Sequence, residues 1–150
     1  MIKFGRPVSV DVEARLPGFV AAVAGSGQAK AIWLFGSRAR NEHDALSDVD
    51  LAVLAREHLD ARALWSAQLA WTSLAVEALG TDEVAVHVVN HLPVALRHAI
   101  LRDARLLWSR SPEIAADFWA RTLKEYLDLK PYLDRYDRDL FRQAATGRLR

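Results

Sequence analysis

Short apolar runs that suit strands alternate along this chain with longer stretches whose apolar residues recur every three or four positions. The run Ala31-Ile32-Trp33-Leu34-Phe35 predicts one strand, and residues 48–55 predict a second. Beyond Asp50 the second run is apolar at every position, as expected of a central strand covered on both faces. Residues 84–90 and 105–108 predict a third and a short fourth strand. Residues 11–24 place Leu16, Phe19, Val20 and Val23 on one helical face, with Ser9 or Asp11 as the cap. Pro17 interrupts that reading, because an interior proline costs ~3 kcal/mol; a helix starting nearer Pro17 is the alternative. A long helix is predicted from the cap Asp60 to the stop at Gly80, with Leu64, Gln68, Trp71, Ala75 and Leu79 in one stripe. Trp65, Leu69 and Val76 lie beside that stripe. Pro93 and Pro112 stand where proline is tolerated, at helix starts. The first helix runs to Arg102, and the second is a tail to about residue 145, kinked near Lys130-Pro131. Residues 1–9 read as a loose arm or an edge strand, 37–41 as a short helix and 42–46 as loop. The sum is an α/β domain in which helices flank a small mixed sheet. No repeat or low-complexity segment interrupts it.

The chemistry concentrates between the first two strands. Gly36-Ser37 follows the first, and Asp48-Val49-Asp50 opens the second. Residues two apart on a strand share a face, about 6.6 Å apart. Asp48 and Asp50 therefore repel each other unless a cation lies between them. Magnesium takes oxygen ligands and is commonly held by one or two carboxylates together with substrate phosphates. Gly36 permits close backbone approach to a phosphate, and Ser37 adds a hydroxyl and an N–H beside the expected helix start. Together these residues predict a site for a metal-bound nucleoside triphosphate. The competing reading is a plain turn carrying two exposed aspartates. No Gly-Lys-Ser/Thr follows, so the segment is not a P-loop, and a dinucleotide fingerprint would need three glycines.

The segments Leu34-Phe35-Gly36-Ser37-Arg38-Ala39-Arg40 and Ser47-Asp48-Val49-Asp50-Leu51-Ala52-Val53 resemble the signature of the polymerase-beta-type nucleotidyltransferase superfamily. Within it, the chain is most similar to the minimal nucleotidyltransferase (MNT) antitoxins paired with HEPN-domain toxins. Pro93, Leu96, Ile100 to Asp103 and Arg105 to Trp108 extend the resemblance, as does the tail Glu125-Tyr126-Leu127-Asp128-Leu129-Lys130-Pro131. The resemblance implies the nucleotidyltransferase fold, with residues 1–111 as its core and 112–150 as a helical tail of the same domain. It also implies ATP as substrate, Mg2+ as cofactor, and a HEPN ribonuclease toxin as partner in a hetero-oligomer. Asp48 and Asp50 are then the catalytic, metal-holding pair. Gly36, Ser37, Arg38 and Arg40 are the nucleotide-binding group; for the two arginines a solvated surface role is equally open.

One position departs from the family pattern. Active members carry a third carboxylate on the next strand, in a Val-Asp pair, and the matching pair here is Val84-Ala85. Glu83 and His87 flank Ala85 on its own face, each about 6.6 Å away. Three functions follow from the resemblance. The chain transfers AMP to a tyrosine of its toxin, or neutralises the toxin by binding alone, or modifies a small molecule. The third suits a chain of 150 residues least, since little remains for a second substrate domain.

Composition acts by exclusion. At 51% hydrophobic and 26% charged residues the chain is a folding sequence, and 150 residues make one domain. A net charge of +1 gives no field for nucleic acid or a membrane surface. Zero cysteines remove disulfides, thiolate metal sites and thiol nucleophiles. No apolar run approaches ~18 residues, and residues 1–7 lack a signal-peptide core, so the expected location is the cytoplasm. His43, His87, His91 and His98 show no paired metal-ligand spacing, so zinc is not expected. Ser47 is expected to shape its loop. Trp33, Trp65, Trp71, Trp108 and Trp119 are expected mostly in the core. On the tail, Tyr126, Leu129, Leu133, Tyr136 and Leu140 form an apolar stripe, for packing or for docking the partner.

Overall fold

The computed structural model describes residues 10–41 and 48–147. Expectations for residues 1–9 and 42–46, for His43 and for Ser47 lie outside the described residues. Among the described residues the elements run α1 (Val12–Gly25), β1 (Ala29–Phe35), β2 (Val49–Ala55), α2 (Ala61–Leu79), β3 (Val84–Val88), α3 (Val94–Leu101), β4 (Arg105–Ser109) and α4 (Pro112–Ala145). The sheet order is β3-β2-β1-β4, with β1 antiparallel to both β2 and β4, and β2 parallel to β3. The sheet is thus mixed, and its two apolar strands are the central ones.

Two layers of helices cover it. On one face Leu16, Phe19 and Val23 of α1 and Trp71, Ala75 and Leu79 of α2 pack on Ile32, Leu34, Leu51, Val53 and Val86. On the other, Ile100 and Leu101 of α3 and Ala115 and Phe118 of α4 pack on Ala31, Trp33, Ala52 and Leu54. Alternate residues of β1 and β2 serve opposite cores, which is why both runs are apolar throughout. Fully burying side chains of this size contributes roughly 1.5–3 kcal/mol each. That driving force explains Pro17. Helix α1 starts at Val12, capped by the Asp11 side chain accepting from the Ala14 N–H at 3.2 Å, and runs through the proline. The buried stripe Val12, Leu16, Phe19, Val23 outweighs the one lost backbone bond.

Helix α2 has its expected ends. Asp60 accepts from the Ala63 N–H at 2.8 Å, and Gly80 takes the left-handed conformation (φ 69°) as its N–H bonds back to the Val76 carbonyl. Trp65 departs from expectation: it is 60% exposed, while Trp33 and Trp71 are buried. The sheet covers only the Leu64–Trp71–Ala75–Leu79 side of α2 and leaves Trp65, Leu69 and Val76 outside. Helix α4 continues unbroken across Pro131. Its first half is anchored by Ala115, Phe118 and Thr122, by the Arg97–Glu125 ion pair and by Tyr126 stacked on His98 at 3.6 Å. Its second half exposes Tyr132, Tyr136 and Phe141. No helix among the described residues is long and apolar enough to cross a membrane.

Candidate active site

The candidate site lies where β1 ends and β2 begins. Antiparallel pairing sets Phe35 opposite Asp50, so the chain leaves β1 beside that carboxylate. Asp48 precedes β2 and is exposed; Asp50 is half-buried within it. Alternation puts both on the α3/α4 face, together with Ala52 and Leu54. Gly36 has φ 77°, and a Cβ built on it would lie 2.6 Å from Asp50 Oδ2. Its first structural duty is therefore to leave room for the Asp50 carboxylate, a constraint visible only once the strands are paired.

Residues 37–41 are not the short helix expected. They form successive turns in which the Ala39 and Arg40 N–H groups both bond to the Gly36 carbonyl, at 3.2 and 3.3 Å, and Asn41 bonds to Arg38 at 3.4 Å. Asn41 has φ 60°, which ends any helical continuation. Ser37 and Arg38 are half-buried in this turn and Arg40 is exposed. No helix dipole acts there.

Strand β3 completes the site. Its parallel register sets Ala85 beside Asp50 and His87 beside Ala52. One step earlier, the Val49 N–H donates to the Glu83 carbonyl at 3.0 Å, holding Glu83 near the level of Asp48. The neighbour of Asp50 on β3 is thus a methyl group. The Phe35 ring meets the His87 imidazole edge-on across β2, with centroids 5.5 Å apart and planes at 61°. Phe35 was not singled out by sequence, since its position opposite Asp50 depends on strand order.

These surroundings set the charge of Asp50. Burial raises its carboxyl above the ordinary aspartate value; His87 opposes that, and Asp48 adds to the rise. A half-buried carboxylate with a like charge two residues away suits a bound cation, and in this respect the pair fits magnesium. Among the described residues no three His, Asp or Glu side chains group closely enough to hold a metal by themselves. Phosphate oxygens would have to complete the shell. His91 instead lines a cleft of about 640 Å³ with Lys30, Asn90 and Arg121, next to Leu54 at the far end of β2. That cleft lies toward the other end of β2 from the carboxylates.

A stability prediction follows from the sign of the shift. Asp50 holds its proton more tightly folded than unfolded, so its contribution falls as pH rises from the ordinary aspartate range through its raised native value. Above that window Asp50→Asn removes the penalty, and the metal-free variant should melt at a higher temperature than wild type. Near pH 3, where both states are protonated, the difference should vanish. Calorimetric melting at the two pH values checks this; equal melting temperatures at neutral pH would contradict it.

The Polymerase beta nucleotidyltransferase family model matches residues 22–113, more than half of the chain. The chain belongs to that family. Several solved structures with similar folds come from toxin–antitoxin complexes. One is a toxin–antitoxin bound to AMP-PNP: 22% identity, covering 82% of this chain and 96% of that one, TM-score 0.65. Another is the toxin–antitoxin MntA-HepT: 21% identity, 86% and 98% coverage, TM-score 0.64. A third is the Shewanella oneidensis MNT antitoxin in complex with tri-AMPylated HEPN toxin: 21% identity, 85% and 98% coverage, TM-score 0.61. At these identities the likeness establishes the fold. No curated protein matches the chain significantly.

Proposed function

We propose that this chain is the antitoxin of a HEPN toxin–antitoxin pair and silences its partner by moving AMP from ATP onto a toxin tyrosine. The observation that carries the reading is the Asp48/Asp50 pair on one sheet face, beside a glycine turn, in a chain of the nucleotidyltransferase family. Support comes from the similar folds: one toxin–antitoxin holds AMP-PNP, and another antitoxin accompanies an AMPylated toxin.

In this reading Asp48 and Asp50 hold magnesium, which when bound neutralises the triphosphate and makes its α-phosphorus more electrophilic. Gly36 and Ser37 place backbone and hydroxyl against the β- and γ-phosphates, and Arg38 and Arg40 supply positive charge nearby. The tyrosine oxygen attacks the α-phosphorus in line, the bond to the β-phosphate oxygen breaks, and pyrophosphate leaves. The hydroxyl proton needs an acceptor, and His87, two residues along β3 from the Ala85 that faces Asp50, is the candidate. Residues 1–111 supply this machinery, while residues 112–150 belong to the same domain and carry the partner surface. The setting is the cytoplasm.

The test is the intact mass of the toxin, co-expressed or incubated with this protein and Mg-ATP. Added AMP units that disappear when ATP is withheld support the reading. Unmodified toxin that is nonetheless inhibited would favour the second reading, neutralisation by complex formation. Ala85 beside Asp50 is the observation behind that alternative.

The distal part of α4 is the proposed docking element. It carries Tyr136 at 63% and Phe141 at 83% exposure, and exposed aromatic anchors dominate interface energies. Cutting after Ser111 would strip Ala115 and Phe118 from the core. Ending the chain after Lys130 keeps those contacts and removes only the projecting part. That truncation should fold and lose toxin affinity by at least ~30-fold, the loss expected of one hot spot of about 2 kcal/mol. Undiminished co-purification would place the interface elsewhere.

A further inference from the structure

We infer that the outward face of α2 is a self-association surface, on which two copies of this chain pack antiparallel about a two-fold axis beside Leu69. Helix α2 is sparsely charged for its length. Its 19 residues include two charges, Arg62 and Glu77, in a chain that is 26% charged. Its exposed side carries Trp65 at 60% and Leu69 at 53%, with Val76, Ser66, Ala70 and Ser73. At about 100° per residue, Arg62, Trp65, Ser66, Leu69, Ala70, Ser73, Val76 and Glu77 all fall within an arc of about 140°. Such an apolar face on a helix already packed on the sheet by its other side calls for an occupant.

The distribution of charge identifies the occupant as a second copy. Arg62 and Glu77 lie at opposite ends of the same face, both exposed. Among the described residues, neither has an ionic partner in its own chain. A two-fold interface requires that if residue i meets residue j of the copy, j also meets i. The midpoint between Arg62 and Glu77 is the Leu69–Ala70 step. An antiparallel pairing centred there sets Arg62 against Glu77 of the second copy, twice. The same centre sets Ser66 against Ser73, small residues that let two helices approach closely. It also sets Leu69 opposite Ala70 of the copy, one residue from its own counterpart, and brings Trp65 within two residues of the copy's Val76 along the helix. One placement therefore satisfies both charges and covers the apolar residues between them.

The face is ~28 Å long and smaller than the ~800 Å² per partner of a standard interface. Association should accordingly be weak and concentration-dependent, with a dissociation constant on the order of 10–100 μM. The surface is separate from both the carboxylates and the end of α4, so the inference stands independently of the proposed reaction.

Sedimentation velocity of the full chain over a concentration series tests it. Wild type should pass from monomer to dimer. Arg62→Glu makes both symmetry-related pairs repulsive and should weaken the dimer by about tenfold or more. Arg62→Glu combined with Glu77→Arg should restore it. The chain has no cysteine, so Leu69→Cys should give a disulfide-linked dimer on oxidation. Arg62→Cys, whose two copies would be ~22 Å apart along the helices, should not. A wild type that stays monomeric to ~1 mM, far above that dissociation constant, would overturn the inference. So would a dimer indifferent to Arg62→Glu, or Trp65→Ser abolishing toxin binding while self-association persists.

Discussion

Asp48→Asn combined with Asp50→Asn is expected to abolish magnesium-dependent ATP binding while the fold survives. The two carboxylates share the α3/α4 face at the start of β2, and the turn at Gly36 opens space for one of them. Removing both charges leaves the triphosphate uncompensated and the metal without protein oxygens of full charge. Each such interaction is worth several kcal/mol, so affinity for Mg-ATP should fall by more than ~100-fold. The fold has little reason to fail, because asparagine is nearly isosteric and Asp50 is strained by burial when ionised. Titration calorimetry with Mg-ATP, beside a far-ultraviolet spectrum and a melting curve, measures both parts. A double variant that binds Mg-ATP as wild type does would show that the nucleotide is held elsewhere. Loss of binding without magnesium as well would show that the variant had lost more than its metal.

Much of this arrangement can be read in the sequence because local chemistry fixes it. Asp60 and Gly80 bracket α2 through a side-chain cap and a left-handed glycine, both of which depend on neighbours a few residues away. The central strands announce themselves by apolar runs covered on both faces. Two kinds of feature escape such reading. Periodicity gives the direction of a helix's apolar face but not its width, so Trp65 reads as core although the sheet stops short of it. The turn at 37–41 reads as a helix because Ser-Arg-Ala-Arg has helical propensity, yet Asn41 adopts a left-handed conformation and closes the segment as turns. The site shows the same division. That Asp48 and Asp50 share one face is legible from strand alternation alone. The clash that makes glycine necessary at 36, and the meeting of Phe35 with His87, arise from strand pairing between distant segments. Proline illustrates the balance of forces. Pro17 argues locally against α1, and the buried stripe it belongs to prevails.

Ala85→Asp should increase the rate of AMP transfer, by up to the ~10²–10⁴-fold that a positioned proton acceptor contributes. Ala85 sits directly beside Asp50 in the parallel pair of β2 and β3, a separation of roughly 5 Å between adjacent strands. A carboxylate there would face the same space as Asp48 and Asp50. It would add negative charge to the proposed metal-holding pair and could take the proton of the attacking hydroxyl. The wild-type methyl does neither. His87 can accept a proton, but it stands one pleat away beside Ala52 and brings no negative charge. The expected wild type therefore binds Mg-ATP and transfers slowly. His87→Ala should lower that residual rate if the imidazole serves as acceptor. Glu83 offers a different outcome, being held near the level of Asp48 by the Val49–Glu83 backbone bond. If its carboxylate substitutes for the missing group, Glu83→Gln should eliminate transfer and Ala85→Asp should give no gain, since a further carboxylate would crowd the site with like charge. Single-turnover rates of AMP transfer for wild type, Ala85→Asp, Glu83→Gln and His87→Ala, each with saturating Mg-ATP, separate these cases. A fast wild type insensitive to both Glu83→Gln and His87→Ala would mean that Asp48 and Asp50 suffice, and that alanine at 85 costs the reaction nothing.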